Sequence, residues 1–391
     1  MISRTIEAHV LRVAEKFPVV TITGPRQSGK TTLCKNLFPK KTYVTLEEPD
    51  VRARALDDPR GFLKELSAGA ILDEVQRAPE LLSYLQGMVD DAPNPGRFIL
   101  TGSQNFNLLA SISQSLAGRT TICELLPLSL AELPKRRSMW ETIFIGGYPR
   151  LHSFDISPQD WLPAYVQTYI ERDVREVLNI GDLASFQTFM GLCAGRTAQI
   201  LNLTTLGSDC GINQKTAKSW LSVLQTSFLA FPLRPFFHNL GKRWIKSPKL
   251  HFFDSGILCF LLGIREADQL LTHPLRGAIF ETWLVAEIYK SQVNHGLIPD
   301  LYHGRDSKGN EVDLISLAGS HASLIEVKSG QTTSTDFVKP LEWYANLLSE
   351  KDALITSTSK FLVYGGEEKL SHREALVLPW SDLNELMEDL R

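Results

Sequence analysis

The segment at residues 19–31 restricts the possible folds of this chain most strongly. Residues 19–23 form an apolar run typical of a buried strand, and the next eight residues, GPRQSGKT, fit the pattern GxxxxGK[ST]. Glycines in such a loop let backbone amides point inward, and a helix that begins near Lys30 adds positive potential at its N-terminus. The order strand, glycine-rich loop and helix therefore predicts a phosphate-binding loop in an α/β fold.

This loop predicts a site for ATP or ADP with Mg²⁺. We expect Lys30 to reach the β and γ phosphates and Thr31 to hold the metal. The predicted nucleotide-binding residues are Gly24, Pro25, Arg26, Gln27, Ser28, Gly29, Lys30, Thr31, Thr32 and, from a later strand end, Gln104. The alternative is a glycine turn without a ligand, and the preceding strand and a separate acidic motif argue against it.

That acidic motif is AILDE at residues 70–74, an apolar strand that ends in two acids. After a phosphate-binding loop, such a pair predicts hydrolysis: Asp73 binds Mg²⁺ through water, and Glu74 orients or deprotonates the attacking water. The next predicted strand, residues 97–101, is followed by small polar residues at the same edge of the sheet. Gln104 or Asn105 is placed there to sense the γ-phosphate.

Short apolar runs alternate with helical patterns over the first 130 residues. Strands are predicted at residues 19–23, 42–45, 69–73, 97–101 and 120–124. This alternation predicts a parallel sheet covered by helices. Arg119 stands just before the last of these strands, where a cation could reach a nucleotide on an adjacent subunit; an ordinary surface arginine is the alternative.

The order of the motifs resembles that of AAA-type (AAA+) P-loop ATPases of bacteria and archaea that carry a C-terminal domain of restriction-endonuclease type. The matching segments are residues 24–31, 72–74, 100–103, 116–119, 146–149, 169–173 and 252–256. The resemblance implies a ring or other homo-oligomer, with a hexamer as the expected size. It also implies that Arg119 acts in trans as an arginine finger.

The middle of the chain predicts a winged helix-turn-helix. Residues 204–210 and 214–226 have helical patterns around a turn at 211–213, and β-rich runs at 228–236 and 249–253 would form the wing. Residues 210–253 contain seven Lys or Arg and no Asp or Glu, although the whole chain has a formal charge of -3. This local patch predicts DNA contacts by Lys215, Lys218, Lys242, Arg243 and Lys246. The alternative is a nucleotide lid or a protein-contact module.

The C-terminal part contains a second candidate site, Glu281, Asp313, Glu326 and Lys328. The last three residues follow the strand order of the PD-(D/E)XK nuclease signature, and Glu326 and Lys328 share one face of their strand. We expect Asp313 and Glu326, with Glu281, to bind Mg²⁺ and Lys328 to polarise the attacking water. The alternative is a set of outward-facing polar residues on amphipathic strands.

Three domains are predicted for the 391 residues: an ATPase domain at 1–150, a connecting helix and winged helix at 151–265, and a nuclease-like α/β domain at 266–391. Five scattered cysteines and no apolar leader or membrane-length run predict a cytoplasmic protein with no membrane partner. The predicted function is an ATPase that acts on duplex or branched DNA as an oligomeric motor or switch. The alternative is a regulatory ATPase that binds a protein partner and carries an inactive nuclease-like platform.

Overall fold

The computed structural model of the protein describes residues 2–103, 114–169, 183–236, 247–306, 309–352 and 354–390. Within these ranges the chain forms a five-stranded sheet, a helical middle region and an eight-stranded sheet. No helix among the described residues is long and apolar enough to cross a membrane.

The first sheet and its helices come first along the chain. The elements are α1 (Glu7–Ala14), β1 (Val19–Gly24), α2 (Lys30–Leu37), β2 (Thr42–Thr45), α3 (Pro49–Asp57), α4 (Pro59–Glu65), β3 (Ala70–Asp73), α5 (Leu81–Asp91), β4 (Phe98–Ser103) and β5 (Thr120–Glu124).

All neighbouring strands of this sheet are parallel, in the order β2-β3-β4-β1-β5. Along β1, Val20 and Ile22 pack into the apolar cluster on one face, whereas Val19 packs into the cluster on the other face. Burial on both faces explains why the inner strands β1, β3 and β4 are rich in apolar residues. The predicted α/β fold with a parallel sheet is confirmed, and β2 and β5 have the predicted bounds.

The middle region and the second sheet follow. Their elements are α6 (Met139–Ile145), α7 (Pro149–Ser153), α8 (Pro158–Tyr169), α9 (Leu183–Ala194), α10 (Leu203–Asp209), α11 (Gln214–Thr226), β6 (Ala230–Pro235), β7 (Lys249–Phe252), α12 (Ser255–Leu261), α13 (Arg276–Asn294), β8 (Leu301–Arg305), β9 (Glu311–Ala318), β10 (His321–Lys328), α14 (Lys339–Lys351), β11 (Ser357–Tyr364), β12 (Leu370–His372), β13 (Ala375–Pro379) and α15 (Asn384–Asp389).

The helix pair α10 and α11 is joined by a tight turn. The side chain of Asn213 accepts a hydrogen bond from the backbone N–H of Thr216, so it caps α11 at its start. The inner face of α11 carries buried Ala217, Trp220 and Leu224. These contacts hold α11 by one side and leave its other side toward solvent.

The hairpin that follows α11 continues the C-terminal sheet, whose strand order is β12-β13-β11-β10-β9-β8-β6-β7. The start of β6 pairs with β7 in antiparallel fashion, while Arg234 and Pro235 at its end pair in parallel with Tyr302 and His303 of β8. We expected this hairpin to form a wing within a separate domain. Instead, β6 is long enough to pair with both β7 and β8, so the hairpin is part of the C-terminal sheet. The boundary predicted between residues 265 and 266 therefore runs through one sheet.

Two of the motifs that carry the family resemblance meet at one place in the fold. Asp254 is 2% exposed, and its carboxylate accepts hydrogen bonds from the backbone N–H groups of Gly147, at 2.7 Å, and Ile257, at 2.9 Å. Gly146 has a φ of 74°, and a Cβ atom there would lie 2.5 Å from Asp254 Oδ1. The segment at residues 146–149 is therefore fixed against the start of α12, and a side chain at residue 146 would break this contact.

We predict that Asp254→Ala lowers the free energy of unfolding by about 3 kcal/mol, because two buried N–H groups lose their acceptor. Denaturant unfolding of the purified protein measures this loss. Asp254→Asn keeps one acceptor oxygen, so it should lose less than half as much. A loss below about 1 kcal/mol in the alanine variant would show that Asp254 does not hold this junction.

Candidate functional site

The phosphate-binding loop leaves the carboxyl end of β1 and continues into α2, whose first residue is Lys30. Gly29 has a φ of 98°, a backbone conformation that favours glycine. The buried Lys30 ammonium donates to the carbonyl oxygens of Gly24, at 3.0 Å, and Pro25, at 2.8 Å. Burial lowers the pKa of Lys30 to about 8, and the Glu74 carboxylate offsets part of this effect. The loop is thus closed around its own lysine, with the positive charge inside.

Asp73 lies at the carboxyl end of β3 and collects three hydroxyl groups. Thr31 Oγ1 donates to Asp73 Oδ2 at 2.9 Å, Tyr43 Oη donates to the same oxygen at 2.6 Å, and Thr101 Oγ1 donates to Oδ1. Burial and the bond to Asp73 raise the pKa of Tyr43. Hydroxyl and carboxylate oxygens are ligands that Mg²⁺ prefers, so Thr31 and Asp73 fit the predicted metal. Tyr43 was missed because no motif marks it.

Glu74 follows Asp73 with an unusual backbone. Its φ of 58° lies in the left-handed region, which costs about 1 kcal/mol for a residue other than glycine. Gln76 Nε2 donates to its carboxylate, which fixes the side chain on the side of the phosphate-binding loop. Backbone strain of this kind concentrates at functional sites.

A cavity of about 710 Å³ opens over the loop. Of the residues predicted from the sequence, those that line it are Arg26, Gln27, Ser28, Gly29, Lys30, Thr31, Thr32 and Glu74. Gly24 and Pro25 are buried at the start of the loop and contact Lys30 through their carbonyl groups. The predicted binding residues in the described ranges therefore lie together at one edge of the first sheet.

Further residues that the sequence did not mark also line this cavity, among them Arg4, Arg150 and Phe154. Arg4 is 7% exposed and donates to the carbonyl oxygens of Ser28 and Leu126, at 2.8 and 2.7 Å. From the other side come Arg150 and Phe154, whose guanidinium and ring lie 5.2 Å apart, and Phe154 is 61% exposed. These residues come from the N-terminal segment and from α7, which only the tertiary fold brings to the loop.

Arg119 lies at the opposite edge of the same sheet. Its carbonyl oxygen accepts a hydrogen bond from the N–H of Val19, the first residue of β1, whereas the phosphate-binding loop follows the last residue. The six residues of β1 span about 17 Å from end to end, further than an arginine side chain reaches. The Arg119 guanidinium forms two bonds to Asp90, at 2.5 and 2.9 Å, on the exposed surface. Arg119 cannot reach the nucleotide site of its own chain.

The acids predicted in the C-terminal part do come together, at one end of β9 and β10. Glu281 of α13, Asp313 of β9 and Glu326 and Lys328 of β10 line a cavity of about 620 Å³. Lys328 Nζ donates to Glu326 Oε1, and Asp313 Oδ2 accepts from the N–H of Val327 at 2.9 Å. The tertiary structure therefore assembles the predicted set from three separate elements.

Two residues of this acidic cluster were missed. Glu311 stands two positions before Asp313 on β9, a spacing that places both on one face of the strand and could have identified it. Lys249 of β7 lies within salt-bridge distance of Glu281, Glu311 and Asp313 and is 1% exposed. The sequence places Lys249 in the basic segment, with no sign that it is buried among acids.

Burial sets the ionisation of this cluster. It acts to lower the pKa of Lys249, but the carboxylates of Glu281, Asp313 and Glu311 outweigh burial and raise it, so Lys249 is positively charged. Burial raises the pKa of Glu281, Lys249 offsets part of this change, and Asp313 adds a further rise. Glu326 behaves similarly: burial and Asp313 raise its pKa to about 8.

The predicted metal site does not fit the side chains as they are arranged. Lys249 already contacts Glu281 and Asp313, and Lys328 contacts Glu326. Over the described ranges, no group of three or more His, Cys, Asp or Glu side chains is arranged to hold a metal ion. No catalytic step through a metal is derived for this cluster.

The predicted DNA-binding lysines lie partly within the described residues. Lys215 and Lys218 are both exposed on α11, on the side away from its buried face. Lys242, Arg243 and Lys246 lie outside the described residues, as do Gln104 and Asn105 of the predicted nucleotide site.

The first domain matches a known family. Residues 16–134 match the model of a family described as an AAA domain. Residues 136–268 and 276–383 match two families described as domains of unknown function, DUF8612 and DUF4143. Together with the parallel sheet and the loop geometry, the first match defines an AAA-type P-loop ATPase.

Two mycobacterial proteins are similar over most of the chain. They are the Uncharacterized protein Rv2008c of Mycobacterium tuberculosis and the Uncharacterized protein Mb2031c of Mycobacterium bovis. Each is 31% identical over 339 residues, which cover 85% of this chain and 75% of the mycobacterial protein. The chain belongs to the family of these proteins.

Solved structures resemble the chain more distantly. The Walker-type ATPase PABY2304 of Pyrococcus abyssi is 15% identical, with a TM-score of 0.46, and the match covers 67% of this chain and 96% of that one. A RuvB protein of Thermotoga maritima is 20% identical, with a TM-score of 0.27, and the match covers 59% and 86% of the two chains. These likenesses are too weak to support an argument about function.

Proposed function

We propose that this AAA ATPase is a DNA-binding switch that hydrolyses ATP and works as a homo-oligomer. The observation that carries the DNA part is the exposed side of α11. Lys215 and Lys218 lie there one turn apart, and neither forms an ion pair with any described residue. Two unpaired cations on the second helix of a helix-turn-helix suit the phosphates of a duplex.

The nucleotide site supports hydrolysis by the residues of this chain. On binding, the Lys30 ammonium exchanges the carbonyl oxygens of Gly24 and Pro25 for phosphate oxygens. Thr31 and Asp73 would hold Mg²⁺, which supplies charge neutralisation on the phosphates. Glu74, fixed by its backbone and by Gln76, accepts the proton of the attacking water.

One helix connects the two halves of the molecule and supports the role of a switch. Near its C-terminal end, α13 contacts the first domain: Glu287 accepts from the N–H of Leu130 at 2.5 Å, and Lys290 donates to the carbonyl oxygen of Leu128 at 3.2 Å. Near its N-terminal end, α13 carries Glu281 of the acidic cluster. A movement of the first domain on nucleotide binding would therefore pull directly on the second sheet.

The placement of Arg119 supports the oligomeric part of the proposal. Arg119 lies at the sheet edge opposite the phosphate-binding loop, so any nucleotide that it contacts would belong to a neighbouring subunit. A homo-oligomer that repeats this contact around a closed ring gives every subunit one complete site.

A second candidate is a regulatory ATPase that binds a protein partner and carries an inactive nuclease-like platform. One observation favours it: Lys249 and Lys328 already pair with the predicted ligands of the acidic cluster. In that case duplex or branched DNA would not stimulate ATP hydrolysis.

The test of DNA binding is the double variant Lys215→Glu and Lys218→Glu. We expect duplex affinity at low salt to fall at least about tenfold, and the slope of log affinity against log salt to shrink by about two. Fluorescence anisotropy with labelled duplex, forked and four-way DNA measures both, together with DNA stimulation of ATP turnover.

The matched control is Lys16→Glu with Lys64→Glu, the same charge change at two exposed lysines of the first domain. It should keep at least half of the affinity. Equal losses in the two double variants would mean that overall charge, and not α11, determines binding. If neither variant alters binding and DNA leaves ATP turnover unchanged, the DNA-binding proposal is wrong and the second candidate takes its place.

A further inference from the structure

The acidic cluster of the C-terminal sheet encloses a lysine. Lys249 is 1% exposed, and its Nζ atom lies 2.7 Å from Glu281 Oε1, 2.6 Å from Glu311 Oε1 and 3.8 Å from Asp313 Oδ1. Three carboxylates from two different elements, α13 and β9, thus surround one ammonium group. The ammonium lies within hydrogen-bond distance of Glu281 and Glu311 and within ion-pair distance of Asp313, so a divalent cation bound to the same oxygens would lie against it.

Two other carboxylate oxygens of the cluster already accept hydrogen bonds and are not free to bind a metal. Asp313 Oδ2 accepts from the N–H of Val327, and Glu326 Oε1 accepts from Lys328. Glu326 Oε2 is buried without a hydrogen-bond partner among the described residues. Mg²⁺ needs near-octahedral oxygen coordination, and the ion pairs of Lys249 and Lys328 occupy part of the set of oxygens that it would use.

The backbone around Lys249 holds it in place. On one side Lys249 pairs with Leu233 of β6, and on the other side it forms a bridge with Ile200. The next residue, Leu250, is fully buried and accepts a hydrogen bond from the N–H of Ala198 at 2.7 Å. The lysine therefore enters the cluster from a strand whose backbone is paired on both sides.

We propose that Lys249 is a built-in cation that takes the place of a divalent metal in the acidic cluster. The cluster is a network of ion pairs that connects β7 to α13 and β9. Strand β7 follows the helix pair for which we propose DNA binding. While Lys249 is in place, the nuclease-like domain binds no catalytic metal. This goes beyond the proposed function, which would hold for either state of the cluster.

The test removes the charge and keeps the length of the side chain, with Lys249→Met. Binding of Mn²⁺ is measured without nucleotide by electron paramagnetic resonance, and thermal unfolding is followed with and without Mn²⁺. The wild type should bind no Mn²⁺ at the acidic cluster, so adding Asp313→Asn to it should leave Mn²⁺ binding unchanged. In Lys249→Met we expect one additional Mn²⁺, at least about tenfold tighter than any wild-type binding at the cluster, and a higher unfolding temperature with Mn²⁺.

Two further variants make the result specific. Adding Asp313→Asn to Lys249→Met should remove both the additional Mn²⁺ and the thermal gain. Lys290→Met is the matched control, because Lys290 is also a buried lysine paired with a carboxylate, Glu287, but faces only that one. It should gain no Mn²⁺.

Lys249→Met leaves several buried acids without their cationic partner, so it could fold poorly even if the proposal is correct. A second variant therefore tests the proposal with a smaller charge imbalance. Lys249→Met combined with Glu281→Gln removes one charge of each sign and leaves Glu311, Asp313 and Glu326 for the metal. It should gain the same Mn²⁺. The proposal is overturned if the wild type binds Mn²⁺ that Asp313→Asn removes, or if neither folded Lys249 variant gains a metal.

Discussion

Replacing Glu74 with glutamine is expected to slow ATP hydrolysis by two to four orders of magnitude and to leave ATP affinity within about threefold of the wild-type value. The substitution keeps the size of the side chain, so it removes the proton acceptor without changing the loop. The left-handed backbone of Glu74 and the bond from Gln76 orient this side chain toward the cavity over the phosphate-binding loop. Steady-state phosphate release measures turnover, and titration with a fluorescent ATP analogue measures affinity.

Lys30→Met is the control for this experiment. It removes the cation at the centre of the loop, so we expect it to lose nucleotide binding and turnover together. The two variants then separate binding from chemistry at one site. Wild-type turnover in Glu74→Gln would show that another group activates the water, and no affinity of the wild type for ATP or ADP with Mg²⁺ would remove the whole nucleotide site.

Replacing Arg119 with alanine is expected to lower turnover by about a thousandfold or more, because in the proposed oligomer this cation would stabilise charge on the transferring phosphate of a neighbouring subunit. The same subunit keeps its own Glu74. Mixed in equal amounts with Glu74→Gln subunits, it should recover about one quarter of wild-type turnover, since random mixing pairs an intact Glu74 with an intact Arg119 at one interface in four. Phosphate release over a series of mixing ratios measures the recovery.

Asp90→Asn serves as the control for a structural role of Arg119. Asp90 holds the guanidinium within its own chain through two bonds. Breaking that pair should leave turnover at or above the wild-type rate, because it frees Arg119 for the neighbour. Absence of recovery at every mixing ratio would argue for a site completed within one chain.

The first domain could be predicted closely from the sequence because its determinants are local. The apolar run before GPRQSGKT, the run ending in Asp73 and Glu74, and the alternation of strand and helix patterns each act over a few residues. The predicted parallel sheet is present, and most of the described residues predicted around the loop line one cavity, while Gly24 and Pro25 are buried at the start of the loop. Tyr43 and Arg4 escaped prediction because their partners, Asp73 and Ser28, lie 30 and 24 residues away along the chain.

The C-terminal part shows the opposite case. Glu281, Asp313, Glu326 and Lys328 were found by their order along the chain, and they do lie together. Their chemistry depends on Lys249, which arrives from a hairpin that we expected in a different domain. Strand pairing between β6 and β8 brings it there, and pairing between distant strands leaves little trace in a single sequence.

By itself, the sequence determined the AAA-type fold, the phosphate-binding loop and its acidic pair, since backbone geometry and apolar periodicity specify them over short stretches. Only the tertiary structure decided that Arg119 pairs with Asp90 of its own chain and that a lysine lies buried among the C-terminal acids. Both depend on which strand edges and faces meet, and that is set by packing of the whole chain.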